Sequence, residues 1–318
     1  MADIYFLVQQ TMFFAIPLLI VAIGGMFSER SGVVNIALEG IMIIGAFFGI
    51  GFIHFFQGSI ANQQLVLIMA VVVSAIAGML FSVIHAFAAI HLKANQTISG
   101  TALNIFAPAF CIFVARTIQR TQQVEFNNTF RIRSAPFLGS IPVIGDLFFK
   151  NTYLTTYLGL IILLISAIVL YKTRFGLRLR ACGELPQAVD SAGVSVYKIR
   201  YSGVLISGLL AGIGGLVFVV PTSTNFDATV SGYGFLALAV LIFGQWKPFR
   251  ILMAAFFFGF MKTISATYSG IPFLMSLGIP AYYYKITPYI ATLVILAFVS
   301  KNAMAPRAAG EPYDKGKR

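Results

Sequence analysis

The chain has 318 residues, of which 58% are hydrophobic and 10% are charged. Because a soluble domain carries about 25% charged residues, this composition excludes an ordinary soluble enzyme or soluble binding module. The net charge of +12 does not indicate nucleic-acid binding, because the cations collect on one predicted side of a membrane. The sequence therefore predicts an all-α polytopic membrane protein.

A spanning helix needs about 20 apolar residues, and the chain is long enough for about nine transmembrane helices with short loops. The first apolar run has no cationic segment before it, so we interpret it as a retained span and not as a cleaved signal peptide. Long continuous runs favour helices over barrel strands, which would alternate over ~10 residues. The predicted spans cover residues 5–26, 33–53, 65–90, 97–118, 153–171, 202–220, 231–245, 251–270 and 283–300.

The distribution of cations predicts the orientation of the chain in the membrane. The C-terminal segment 301–318 holds five Lys and Arg residues and is expected in the cytoplasm. Counting back through the spans places the N-terminus outside and gives a transmembrane domain over 1–301, an outer loop over 119–152 and a cytoplasmic tail over 302–318. The segments on the cytoplasmic side hold 15 of the 22 Lys and Arg residues, and they are 28–32, 91–95, 172–200, 246–250 and 301–318.

The stretch SERSGVVNIALEG, residues 28–40, places Glu29, Asn35 and Glu39 between two apolar runs. A charge at membrane depth is costly and normally faces a cavity or a partner group. Glu29 fits either the cytoplasmic headgroup layer or a buried position. Glu39 lies further into the second run, where it either ties two helices together or lines a transport pathway.

The stretch ANQTISGTALN, residues 94–104, gives a polar entry to the fourth span. Thr97, Thr101 and Asn104 recur at helical spacing on one face of that span. This face fits either a hydrated path or hydrogen bonds between helices, which contribute ~0.6 kcal/mol each.

A short internal repeat links the two halves of the chain. The segment SGVVNIALEG (31–40) shares Ser, Gly, Ala and Leu at matched positions with SGYGFLALAV (231–240). The predicted spans before these segments run in opposite directions, so the copies would be inverted. An inverted-topology repeat around a central site is typical of transporters.

The longest polar interruption in the second half of the chain is the predicted cytoplasmic loop 172–201. Residues 184–193 predict a short helix, with Pro186 at its start and Gly193 at a left-handed stop. An apolar stripe at helical spacing would suit docking on a partner, although a solvated loop with one helical turn fits the local pattern equally well. The stripe consists of Leu185, Ala188, Val189 and Ala192.

The sequence predicts no enzyme activity for this chain. It has no GxxxxGK[ST] phosphate-binding motif and no evident set of nucleophile and base. Two cysteines and three scattered histidines predict neither a disulfide framework nor a metal site.

Four segments of this chain, in order, resemble the permease subunits of bacterial ABC importers. The resemblance is to the branched-chain amino acid / simple sugar permease superfamily. Within it, the chain is most similar to the nucleoside branch, whose members are described as simple-sugar or purine-nucleoside importers. The resemblance spans about residues 5–300. The segments are SERSGVVNIALEGIMIIGAFFG, ANQTISGTALN, RFGLRLRACGELPQAVDSAGVSVYKIRYSGVLISGLLAGIGG and SGYGFLALAVLIFG.

The resemblance implies that this chain forms a transport path in the cytoplasmic membrane of a bacterium. A separate cytoplasmic ATP-binding subunit would bind ATP and Mg²⁺, so this chain would hold no cofactor. A second, non-identical permease subunit and an extracytoplasmic substrate-binding lipoprotein would complete the assembly in the lipid bilayer. Sugar or branched-chain amino acid import remains an alternative, and an ion-coupled secondary transporter is a further one.

The resemblance also assigns expected roles to residues. The segment with an E-A-A…G-like pattern would be the coupling helix on the ATP-binding subunit, although Leu185-Pro186 after Glu184 departs from that pattern. We expect the coupling helix to use Glu184, Leu185, Ala188, Asp190, Ala192 and Gly193. The candidate translocation-pathway residues are Glu29, Asn35, Glu39, Thr97, Thr101 and Asn104.

Overall fold

The computed structural model describes residues 2–134, 139, 145–271, 275–299 and 305–316, without the side chains of residues 2–3 and 294–299. Within these ranges the chain is a bundle of α-helices with four very short strands. The helices are α1 (Ala2–Arg30), α2 (Leu38–Phe56), α3 (Gln63–Ile90), α4 (Gln96–Gln119), α5 (Leu154–Lys172), α6 (Arg174–Glu184), α7 (Pro186–Ser191), α8 (Val196–Thr222), α9 (Tyr233–Phe243), α10 (Pro248–Thr267) and α11 (Ala281–Val299).

Each of the nine predicted spans coincides with one of these helices, which confirms the all-α polytopic membrane fold. Seven helices in the described part are long and apolar enough to cross a membrane, namely α1 to α5, α8 and α10. The predicted span 231–245 is shorter than expected, because α9 has only 11 residues. The predicted end of the ninth span at residue 300 lies outside the described residues.

Helix α8 is the centre of the bundle, and α1, α2 and α3 pack around it. Its 27 residues include a run of small side chains that lets neighbouring backbones approach closely. A Cβ atom at Gly212 would overlap the carbonyl oxygen of Ser74 in α3, and Gly45 of α2 faces the same glycine. The small-residue pattern in α8 therefore fixes the positions of three helices around it.

The bundle has two distinct ends. At one end, which we call the strand end, β1 (Val124–Glu125) pairs antiparallel with β4 (Asn225–Phe226), and β2 (Ile132–Ser134) pairs antiparallel with β3 (Lys150–Thr152). The register brings Val124 opposite Phe226 and Ile132 opposite Thr152. A π-helical turn, Gly145–Phe149, precedes β3, and the predicted loop residues 135–138 and 140–144 lie outside the described part.

The other end, which we call the tail end, carries α6, α7 and the C-terminal segment 305–316, hereafter the tail. Helices α1 and α8 run antiparallel between the two ends: Gly203 of α8 packs on Phe27, whereas Gly214 packs on Val21. The chain therefore begins at the strand end and finishes at the tail end.

Two non-helical segments matter for the site: the first is mostly buried, and the second contains β4 and is partly exposed. The first break, residues 31–37, corrects the prediction that the second span begins at residue 33, because α2 starts only at Leu38. The second break, residues 223–232, separates α8 from α9. Gly32 (φ 95°) and Gly232 (φ 77°) both adopt the left-handed conformation, and they occupy matched positions in the sequence repeat.

Candidate functional site

The first break is closed by polar side chains of α4. The backbone N–H of Val34 donates to Oε1 of Gln96 at 2.7 Å, and the N–H of Gly40 donates to Oδ1 of Asn104 at 2.7 Å. The Asn104 amide in turn donates to the carbonyl oxygen of Ile36 at 2.8 Å. These amides satisfy backbone groups that a helix would otherwise pair, as enclosed N–H and C=O groups require.

Two further polar side chains hold the first break against its neighbours. Asn35 is fully buried, donates from Nδ2 to Oγ of Ser207 in α8 at 2.9 Å, and accepts the N–H of Ala37 at 3.1 Å. The ring of His85, from α3, lies 3.0 Å from the carbonyl oxygen of Val34. The break is therefore fastened to α3, α4 and α8 together.

One carboxylate closes the α9 end of the second break, and β1 pairs with β4 near its other end. Glu39, in the first turn of α2, accepts the N–H of Gly232 at 2.8 Å and the N–H of Gly234 at 2.6 Å. These groups lie at the N-terminus of α9, where a negative charge is favourable. Glu39 therefore caps a helix whose N-cap residue, Gly232, lies 193 residues later in the chain.

Glu29 ties the tail end of α1 to the turn between α9 and α10. Its carboxylate is buried and accepts the indole N–H of Trp246 at 2.6 Å. The neighbouring Arg30 donates to the carbonyl oxygen of Trp246 at 3.2 Å and lies 3.9 Å from the carboxylate of Glu184. This enclosed contact is inconsistent with the alternative that Glu29 lies in the layer of lipid headgroups.

Thr97 and Thr101 point away from the helix packing. Both are exposed on α4, on the side that also exposes Ile98 (69%) and Ile105 (70%). The structure therefore does not bring the six candidate pathway residues into one cavity. Four of them make contacts between elements, and the two threonines lie on a free face of this chain.

The predicted coupling segment is two helices and not one. Helix α6 ends at Glu184, Leu185 is extended, and α7 begins at Pro186 and ends just before Ala192 and Gly193. Pro186 occupies the first turn and Gly193 has φ 76°, which confirms the predicted start and stop.

The apolar stripe of this segment divides between two surroundings. Leu185 is 57% exposed, and Ala188 and Ala192 are exposed as well. Val189 is instead buried, so the prediction that all four residues form one outward stripe is wrong for this position. Glu184 is exposed and Asp190 is partly buried at the edges of α7.

Helix α6 adds a surface that the sequence reasoning missed. Arg174 and Arg178 are exposed, and Leu177 between them is 62% exposed. The opposite face buries Leu179 and Cys182 against the bundle. The signal was present in the sequence as an i, i+3, i+4 pattern of buried residues within a cationic segment.

The thiol of Cys182 is enclosed beside Arg200. Burial raises the pKa of this thiol, and the positive charge of Arg200 opposes that effect. A buried thiol with a raised pKa is a poor nucleophile, so Cys182 acts here as a small packing residue.

No metal-binding group of His, Cys, Asp and Glu residues occurs in the part of the chain that the structure describes.

Comparison with known proteins gives a consistent result along the whole chain. The protein family described as "Branched-chain amino acid transport system / permease component" matches residues 7–298. The guanosine ABC transporter permease protein NupQ of Bacillus subtilis is 45% identical, over 98% of this chain and 97% of its own length. The nucleoside ABC transporter permease protein NupC of Lactococcus lactis is 39% identical, over 98% and 97%.

A more distant relative is the putative glucose ABC transporter permease protein TsgC13 of Haloferax volcanii. It is 32% identical, over 81% of this chain and 76% of its own length. No solved structure matches the chain.

Proposed function

This chain belongs to the branched-chain amino acid transport system / permease component family, and from that premise we propose that it forms the translocation path of an ATP-driven importer for nucleosides. The observation that carries the proposal is the exposed face of α7, with Leu185 at its start, at the end of the bundle opposite the N-terminus. An apolar side chain that projects from a short helix beyond the bundle suits docking on a separate, ATP-hydrolysing chain.

The proposed orientation places the tail end in the cytoplasm. Its support is the positive-inside rule, since 15 of the 22 Lys and Arg residues lie in segments that the span count assigns to that side. The N-terminus and the strand end would then face outward. In this orientation α7 meets a cytoplasmic ATP-binding subunit, and β1 and β4 face a substrate-binding lipoprotein.

The proposed substrate class follows from the relatives. The relatives at 45% and 39% identity carry guanosine and nucleoside in their names, whereas TsgC13, at 32%, carries glucose. A nucleoside is the first candidate, and a sugar or a branched-chain amino acid is the alternative.

The polar contacts inside the bundle support a path on its surface. Glu29, Asn35, Glu39 and Asn104 already hold partners within the chain, so they offer few free groups to a passing solute. We therefore place the path on the face of α4 that carries Thr97 and Thr101, where a second, non-identical permease subunit would cover it.

The proposed mechanism uses contacts already described. ATP and Mg²⁺ bind the partner subunit, and its closure displaces α7. Helix α7 continues α6, and Glu184 at their junction contacts Arg30 at the end of α1. A displacement of α7 is therefore transmitted to the first break, which begins at the residue after Arg30. The first break contacts α3, α4 and α8, so the displacement reaches these helices as well.

The decisive experiment compares two exposed leucines at the tail end. Leu185 is 57% exposed and Leu92 is 64% exposed, so Leu92→Glu is a matched control for Leu185→Glu. In the reconstituted transporter, Leu185→Glu should lower nucleoside-stimulated ATP hydrolysis at least tenfold, which corresponds to ~1.4 kcal/mol of lost interaction. Leu92→Glu should leave it unchanged. Full stimulation in Leu185→Glu would overturn the coupling role of α7.

A second experiment separates this proposal from an ion-coupled transporter. Intramembrane carboxylates of such transporters must be free to bind an ion, whereas Glu29 and Glu39 are occupied by an indole N–H and by two backbone N–H groups. Nucleoside uptake should therefore stop in energised vesicles that lack ATP. Uptake that continued under an ion gradient alone would favour the ion-coupled alternative.

A further inference from the structure

The tail is fastened to the bundle by its backbone. The N–H of Ala308 donates to the carbonyl oxygen of Gly183 at 2.8 Å, and the N–H of Gly310 donates to the carbonyl oxygen of Gly32 at 3.2 Å. One nitrogen of the Arg200 guanidinium donates to the carbonyl oxygen of Glu311 at 2.9 Å. The tail thus touches the end of α6, the first break and the start of α8 within four residues.

Side chains extend this attachment toward α7. Tyr313 is only 5% exposed, and its ring meets the ring of Tyr197 edge-on, with centroids 5.7 Å apart. The same side chain lies beside Asp190 of α7. Asp314 forms an ion pair with Lys93 of the α3–α4 loop at 3.4 Å. Tyr313 is therefore the residue that joins the tail to α7 and α8 at once.

The tail and α7 enclose a groove between them. One wall carries Gln187, Asp190 and Ser191 of α7, and the other carries Tyr313 to Lys315 of the tail. The groove has a volume of about 520 Å³ and a largely polar lining. Residues 193–196, which lead into α8, form its floor.

We propose that this groove is part of the surface on which the ATP-binding subunit docks, so that the tail and α7 form one composite interface. The inference rests on the proposed function, and it adds a partner contact made by residues beyond 298, where the family match ends. The groove is continuous with the exposed face of α7, because Gln187 and Asp190 belong to the same short helix as Ala188.

The charges around the groove indicate which chemistry the partner brings. Two of the three charged residues that line it, Asp190 and Asp314, are acidic, although this end is otherwise cationic. Anionic lipid headgroups would be repelled here, which favours a protein segment with polar and basic side chains over a membrane surface.

The first test uses Tyr313 with a conservative control. Tyr313→Ala removes the ring that holds the tail against Tyr197, whereas Tyr313→Phe keeps the ring. Binding of the purified ATP-binding subunit to the complete membrane assembly in nanodiscs should weaken at least tenfold in Tyr313→Ala and less than twofold in Tyr313→Phe. Equal affinities for all three forms would overturn the composite interface.

The second test avoids variants that alter folding. A photo-cross-linking amino acid is introduced at Gln187 in one wall, at Lys315 in the other, and at Gln122 of the strand end as a control. Both groove positions should cross-link to the ATP-binding subunit, and Gln122 should not.

The two proposals fail in different ways. Cross-linking from Gln187 without cross-linking from Lys315 would remove the tail from the interface but leave the role of α7. If neither position cross-linked and Leu185→Glu remained fully coupled, both the composite interface and the coupling role of α7 would fall. The proposed function itself would fall if the unaltered assembly showed no nucleoside-stimulated ATP hydrolysis.

Discussion

The two breaks in the bundle share a Ser–Gly pair and are closed by different chemistry. The pair stands at the start of the first break and at the end of the second, and in both the glycine is left-handed. Two neutral amides from α4 close the first break, and one carboxylate from α2 closes the second. A charged acceptor makes shorter and stronger hydrogen bonds than a neutral one, and it also gains from the dipole of α9.

This difference indicates that the second break is the firmer of the two. The first break lies beside the tail end, where Gly32 accepts a hydrogen bond from Gly310. A segment held by several neutral hydrogen bonds can exchange partners at lower cost than one held by a buried charge. The proposed coupling movement therefore reaches the more adjustable break first.

The largest effect is expected for Glu39→Ala. It leaves two N–H groups at the start of α9 without their acceptor, which should lower the free energy of unfolding by about 4 kcal/mol. Thermal unfolding of the detergent-purified protein measures this loss. Glu39→Gln keeps one oxygen acceptor and should recover part of it.

Asn104→Leu should have a smaller effect at the first break. It removes the acceptor for Gly40 and the donor to Ile36, at a cost of about 2 kcal/mol. Ile105→Leu, an exposed change at the next position, serves as the control in the same unfolding measurement. If Asn104→Leu cost as much as Glu39→Ala, the two breaks would be equally firm.

Ser207→Ala tests a single hydrogen bond of the first break. It removes one hydrogen bond to Asn35 inside the bundle and should cost ~0.6 kcal/mol. Asn35→Ala should cost more, because Asn35 also accepts the N–H of Ala37. A double-mutant cycle measures the coupling, and a coupling near zero would show that this pair does not hold the break to α8.

Thr97→Val and Thr101→Val should have the smallest effect on stability. Both side chains are exposed and close no break, so the free energy of unfolding should change by less than about 0.5 kcal/mol. Nucleoside uptake by the reconstituted transporter should nevertheless fall severalfold if the path follows α4. Unchanged uptake would remove these residues from the pathway.

Most of the fold could be predicted from the sequence, because each helix that crosses a membrane needs a long run of apolar residues. The first break was predicted at residues 28–32 and lies at 31–37, because Val33, Val34 and Ile36 are as apolar as a helix would be. Within 33–37 only Asn35 differs from that pattern.

The sequence predicted some parts of the candidate site and not others, for a similar reason. Pro186 and Gly193 carry local signals for the start and stop of α7, and both were predicted correctly. The contact between Gly310 and Gly32 joins two backbone groups distant in the chain, and backbone groups leave no pattern of residue types. The partners of Glu39 at Gly232 and Gly234 were inaccessible for the same reason.

The enclosure of both cysteines has a practical consequence for spectroscopy. Cys111 is 1% exposed and Cys182 is fully enclosed, and burial raises the pKa of the Cys182 thiol. At pH 8 almost none of that thiol is ionised, so maleimide dyes and spin labels should leave the native chain unmarked. A single cysteine introduced on α7 or on the tail would then report its own position, and distances between such labels could follow the two elements through an ATP cycle.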